Sequence, residues 1–261
     1  MKHCLFILAA ACFACAGCFD NHSRPADVVT VTSLDALAAT NRAEVVRLFL
    51  RGTPRPVTDA DLDGLSDSAL QQLDLSENKQ QVPAAVWRLK GLTSFWFAYN
   101  GLEKIPDEVA QLPALTYLNL DGNAITEVPD SLKDATKLRW LRLNGNKIRE
   151  LPASLAALKD MRRIYLRKNQ LTSVPEVVKE WPELEDLVLD GNAIASVPDW
   201  VGKDLKKLKS LSLKGCPITR LPEDLSGLRN LTTLNVADCP FPSEEVERIR
   251  KALGDNIVIL F

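Results

Sequence analysis

Histidine is almost missing from this 261-residue chain: the two copies are His3 and His22. With no imidazole in the main body, Ser-His-Asp catalysis, Cys-His catalysis and His-rich metal sites are excluded. A glycine-rich phosphate loop is missing too; glycine recurs instead in Asp-Gly-Asn and Asn-Gly-Asn turns. Neither sign of charge dominates, with 32 Lys+Arg against 34 Asp+Glu, so there is no basic field for nucleic acid. Acidic pairs such as Glu244/Glu245 suit the first turn of a helix better than a catalytic dyad. The chain reads as non-enzymatic, with no cofactor and no metal.

Long hydrophobic runs are absent except at the start. Cys4 to Cys15 is apolar, follows Lys2 and is too short to cross a bilayer comfortably as a helix. No stop-transfer cluster follows, so residues 1–17 read as a secretory signal. The segment ends in Cys15-Ala16-Gly17-Cys18, which resembles the bacterial lipobox, although Cys15 stands where that pattern usually has Leu. The resemblance implies lipidation of Cys18 as the new first residue; ordinary cleavage near Ala16 or Gly17 is the alternative. An acylated Cys18 would anchor the chain stably to a membrane. Phe19, rather than Asp, points to the outer membrane in a Gram-negative cell. Residues 18–28 then form the lipidated cysteine and a polar tether.

What the chain has in abundance is a repeat. Leu115, Leu118, Leu120, Asn123, Ile125, Val128, Pro129 and Leu132 recur 23 residues later as Leu138, Leu141, Leu143, Asn146, Ile148, Leu151, Pro152 and Leu155. Further units start at Leu70, Leu92, Met161, Leu184, Leu208 and Leu231, giving eight over 70–242. The pattern L-x-x-L-x-L-x-x-N-x-L-x-x-L-P resembles the leucine-rich repeat family. The resemblance implies an α/β solenoid: a curved horseshoe, with a parallel sheet on the concave face and short 3-10, extended or helical segments on the convex face. Independently of it, L-x-L sends two side chains inward from a short strand. Asn can satisfy the backbone groups that the following turn leaves unpaired. Pro fixes an extended step and prevents a long helix. One such unit cannot fold alone, so stability comes from stacking.

Stacks need ends that shield the core. Residues 29–69 read as an N-terminal cap. In it Ser33 starts a short helix, and a degenerate unit carries Val45, Leu48 and Leu50, with Thr53 in the Asn slot. Residues 243–261 read as the C-terminal cap. Ser243 with Glu244 and Glu245 begins a helix that Gly254 ends, and Ile257 to Phe261 forms a last apolar strand.

Residues between the inward leucines face outward on the concave side. The central slot holds Asp74, Trp96, Asn119, Arg142, Tyr165, Val188, Ser212 and Asn235. The slot before it holds Gln72, Ser94, Tyr117, Trp140, Arg163, Asp186, Ser210 and Thr233. The slot after it includes Asp121, Arg167 and Asp190. Four of the eight Trp and Tyr residues thus gather in units two to five, a composition suited to a binding surface, although aromatics also suit strands. The expected ligand-binding set is Trp96, Tyr117, Asn119, Trp140, Arg142, Arg163, Tyr165 and Arg167. Within it, Arg163 beside Asp186 and Arg167 beside Asp190 read as structural ion pairs. Arg142, with no acid in its own column, reads as the arginine left for a ligand. Trp181 fills an inward slot. Trp87 and Trp200 fall on the convex side, where partial burial and a second surface are both open.

Cys216 and Cys239 occupy the Asn slot of adjacent units, about 4.8 Å apart by strand spacing. A disulfide and two buried thiols are both open, and parallel ladder side chains favour the thiols. The whole reads as a monomeric, exported, lipid-anchored scaffold that binds a protein partner at the bacterial cell envelope. The alternative is a surface-exposed or secreted virulence-type protein that engages host proteins.

Overall fold

A computed structural model describes residues 28–254 and 256–261. The expected signal 1–17, Cys18 and the tether through residue 27 lie outside the described residues. Eleven short strands pair in strict chain order within one parallel sheet. They are β1 (Val29–Val31), β2 (Val45–Phe49), β3 (Gln72–Asp74), β4 (Ser94–Trp96), β5 (Tyr117–Asn119), β6 (Trp140–Arg142), β7 (Arg163–Tyr165), β8 (Asp186–Val188), β9 (Ser210–Ser212), β10 (Thr233–Asn235) and β11 (Val258–Leu260). β1 was not expected. It pairs with β2 through an irregular register and adds Val31 to the core.

The strands are three residues long from β3 onward because only one L-x-L step alternates before the chain turns. The middle residue of each points inward and is buried, from Leu73 and Phe95 through Leu141 to Leu234. Beyond each strand the asparagines stack as a ladder. Asn146 Nδ2 donates to the carbonyls of Leu120 and Leu143, both at 3.0 Å, and its Oδ1 accepts from Ile125 N at 3.0 Å. Asn123, Asn169 and Asn192 repeat the pattern. At the N-terminal end Thr53 N and Oγ1 both donate to Asn78 Oδ1, closing the ladder. At the other end Cys216 Sγ faces Leu189 O at 3.4 Å, and Cys239 Sγ faces Leu213 O at 3.2 Å. Both are free thiols, the reading that parallel ladder side chains favoured, with Cys216 buried and Cys239 half-buried: each sulfur points along the ladder to a carbonyl.

On the convex side Pro83, Pro106, Pro129, Pro152 and Pro175 each hold an extended backbone just before a five-residue 3-10 helix. The unit from Leu184 to Leu208 is one residue longer than its neighbours. It makes the turn α3 (Asp199–Lys203) instead. Packing there is close: a Cβ on Gly202 would lie 2.0 Å from the Asp224 carbonyl oxygen, and one on Gly227 2.1 Å from that of Lys203.

The caps follow from local chemistry. Ser33 Oγ accepts from Ala36 N to start α1 (Leu34–Ala39). At the turn α2 (Asp59–Leu62), Thr58 N and Oγ1 both donate to Asp61 Oδ2 at 2.8 Å, and Arg55 donates to both Asp61 oxygens at 2.7 Å. At the C-terminal end α4 (Ser243–Leu253) buries Ile249 and ends at Gly254 with φ of 76°. Ser243 makes no capping bond. Glu245 instead reaches across to accept from Leu221 N at 2.9 Å and pairs with Arg248 at 2.7 Å. β11 forms as expected, but Val258 and Leu260 face outward and stay 59 % and 47 % exposed.

Candidate binding face

Register brings the two predicted columns together as read. Gln72, Ser94, Tyr117, Trp140, Arg163 and Asp186 pair in turn, and so do Asp74, Trp96, Asn119, Arg142, Tyr165 and Val188. Because the columns are one side chain apart, the aromatics do not form a straight file. Tyr117 and Trp140 are neighbours in one column, with Trp96 and Tyr165 flanking them from the other: Trp96 to Tyr117 is 4.9 Å between ring centres, Tyr117 to Trp140 4.9 Å, and Trp140 to Tyr165 6.0 Å. The rings alternate between tilted and edge-on contacts, so each supports the next and the ribbon is held before any partner arrives. All four are half-buried.

Phe49 on β2 extends the ribbon by two strands, edge-on to Trp96 at 6.2 Å across Asp74 of β3. Sequence reasoning missed it, because attention to Val45, Leu48 and Leu50 passed over the outward residue between two inward leucines. Tyr99 was missed too. It takes φ of 57° in the turn after β4, stays 57 % exposed and lies where a side chain on Gly122 would be.

Two cations brace the ribbon from above. The Arg142 guanidinium lies 5.4 Å from the Tyr165 ring centre, and that of Arg163 4.9 Å from Trp140. Arg163 pairs with Asp186 at 3.1 Å as expected. Asp186 Oδ2 also faces the Tyr165 hydroxyl at 3.3 Å. Burial raises the pKa of Tyr117 and that of Tyr165, so both phenols stay neutral. Burial also raises the pKa of Asp186, with the Arg163 charge opposing it.

The other two arginines exchange the roles assigned to them. Arg142 is not spare: it donates from Nε to Asp121 Oδ2 at 2.8 Å and reaches the same oxygen from a terminal nitrogen at 2.6 Å. The acid lies on the diagonal, one strand back and one slot along, within the reach of a long side chain. Arg167 does not pair with Asp190. That carboxylate accepts from Ser212 Oγ and from Lys214 N, supporting the next turn. Arg167 is left exposed, with no ion pair among the described residues. Asn119 is also committed, since its Oδ1 accepts from Asp121 N at 2.9 Å.

One donor inside the ribbon is unsatisfied: Trp140 Nε1 is buried without a hydrogen-bond partner. The remaining tryptophans belong to the scaffold. Trp181 Nε1 donates to Leu155 O at 2.9 Å, and Trp87 is buried edge-on to Phe95. Trp200 Nε1 donates to Glu176 Oε1 at 3.1 Å on the convex side. An open cleft near Val197, Thr219 and Arg220 lies outside the ribbon, in the segments that leave the strands. Among the described residues, no group of His, Cys, Asp and Glu could hold a metal, and no helix is long and apolar enough to cross a membrane.

A leucine-rich repeat region model matches residues 128–255, and a leucine rich repeat model matches 90–148. No curated protein matches the chain. Among solved structures it is similar to a leucine-rich-repeat protein of Leptospira interrogans, at 26 % identity and a TM-score of 0.73 over 90 % of this chain and 58 % of that one. An internalin of Listeria monocytogenes shares the fold at 24 % identity and a TM-score of 0.71, over 88 % of this chain and 64 % of that one. The ectodomain of the Arabidopsis thaliana receptor kinase GASSHO1/SCHENGEN3, in complex with Casparian strip integrity factor 2, matches at 25 % identity and a TM-score of 0.63 over 76 % of this chain and 24 % of that one. The chain thus spans less than two thirds of each of these three. With its consecutive strand order, its asparagine ladder and both model matches, the chain belongs to the leucine-rich repeat family.

Proposed function

We propose that this chain is a non-catalytic scaffold that binds a protein partner through the aromatic part of its concave face. Leucine-rich repeat proteins generally act as protein-binding scaffolds, and similar plant ectodomains are seen in complex with peptide ligands. The observation that carries the reading for this chain is the ribbon from Phe49 to Tyr165: five half-buried rings, mutually braced, on a face lined elsewhere mostly by polar side chains. Rigid, half-exposed Trp and Tyr with Arg have the composition of binding hot spots. Cross-linking with the purified chain in envelope extracts should capture a partner that Trp96→Ala and Trp140→Ala variants lose while keeping their far-UV CD. Equal capture by both variants refutes the concave site.

The same proposal holds the chain at the cell envelope as a monomer, through a lipid on Cys18. Supporting it are the apolar run to Cys15 and the Ala16-Gly17-Cys18 sequence. Cys18→Ser should abolish labelling by radioactive palmitate and release the chain from the membrane fraction. Protease treatment of intact cells then decides which way it faces: loss places it outside, and protection places it within the envelope.

A further inference from the structure

The charges around the ribbon constrain what kind of segment can lie on it. Arg142 is neutralised by Asp121 and Arg163 by Asp186. Lys214, farther on, pairs with Asp238 at 3.4 Å. At the Tyr165 end of the ribbon, Arg167 lies exposed one slot along from Tyr165 with Lys168 next to it, and neither has an ion pair among the described residues; at the far end Arg47 on β2 has none either. The acid one strand on, Asp190, is turned toward Ser212 Oγ and the backbone N–H of Lys214 and forms no ion pair with Arg167. Lys168 takes φ of 52°, a left-handed turn position that glycine fills in the flanking units at Gly145 and Gly191. A lysine thus occupies a strained position beside Arg167. The Tyr165 end of the ribbon therefore presents two exposed cations that no ion pair holds among the described residues.

Resting on the concave-face reading above, we propose that the partner presents an extended peptide segment. Two or three of its apolar or aromatic side chains lie on Trp96, Tyr117, Trp140 and Tyr165, and a carboxylate follows to pair with Arg167 and Lys168. The rings from β4 to β7 span three strand spacings, about 14 Å, which an extended chain covers in four or five residues. An acid five or six residues from the first apolar side chain then reaches Arg167. The opposite polarity, with a basic residue at that end, would meet two unpaired cations.

Panning a displayed random heptapeptide library on the full chain, with synthetic copies of the winners titrated by tryptophan fluorescence, tests this. Enriched peptides should combine apolar residues with an acid near one end. Arg167→Glu should weaken them about three- to tenfold, and replacing the peptide's acid by lysine should recover the loss. Because Arg167 is exposed and unpaired, the variant should keep the parental melting temperature. If Trp140→Ala and Tyr165→Ala abolish binding but Arg167→Glu changes nothing, the acidic-end inference falls and the concave site stands. If the selected peptides bind all three variants equally, or none is enriched, both readings fall.

Discussion

Replacing Asn146 by alanine tests the ladder that holds the binding face in register. The side chain is 7 % exposed and makes two carbonyl bonds at 3.0 Å, while its Oδ1 receives the Ile125 N–H. The carbonyls do not lose everything, because Leu120 O keeps Asn123 Nδ2 and Leu143 O keeps Asn169 Nδ2. The Ile125 N–H has no replacement. Leaving it unsatisfied costs about 1–3 kcal/mol, and the two lost bonds add about 1 kcal/mol each. The variant should therefore be about 4 kcal/mol less stable, measured by equilibrium urea unfolding followed by far-UV CD. Asn146→Cys imitates the rung that the chain itself uses at Cys216, where sulfur faces a carbonyl, and should lose about half as much. A loss below about 1 kcal/mol for the alanine variant, at unchanged denaturant slope, would refute the view that the ladder couples neighbouring units.

Arg142→Ala should cost about 1–2 kcal/mol and lower the melting temperature by several degrees. It strips the cation from a nearly buried Asp121, and one-third exposure of the arginine moderates the loss. Arg167→Ala should leave the melting temperature unchanged. Trp140→Phe removes an unsatisfied buried donor along with some ring area, so its stability should stay within about 1 kcal/mol of the parent. Trp181→Phe gives up the bond to Leu155 O and should cost about 2 kcal/mol more in the same urea assay. Bonding to Arg55 holds the Asp61 carboxyl well below the usual carboxylate range. A depressed folded-state value means that Asp61 stabilises above the unfolded value and that this contribution fades as pH falls through the folded one. Melting temperatures taken down into strong acid should therefore fall less steeply for Asp61→Asn than for the parent.

Sequence reached far in this chain because its fold repeats one short pattern. The positions of Leu118 and Leu120 set a strand, a face and a register at once, and both outward columns pair as the repeat phase dictates. Ser33, Gly254 and the prolines are local signals with local outcomes. What the sequence hid lies off the columns. Arg142 meets Asp121 diagonally, a contact set by side-chain length rather than by phase. Asp190 turns toward the next unit, so its neighbour Arg167 is freed. β1 escaped because three alternating residues outside the repeat phase carry little signal of their own. Phe49 escaped because a degenerate unit was read for its inward residues alone.

The two thiol rungs near the C-terminal end give the solenoid a direction. Sulfur is a weaker donor and acceptor than an amide, so units joined through Cys216 and Cys239 are stitched less tightly than those joined through asparagine. Under pulling or mild denaturant the array is therefore expected to unzip from that end first. The early stages of such unzipping would bare the buried Cys216 to thiol reagents while β4 to β7, nearer the asparagine-laddered middle, still hold their partner. Thiol labelling thus becomes a clock for strain that ticks before the grip is lost.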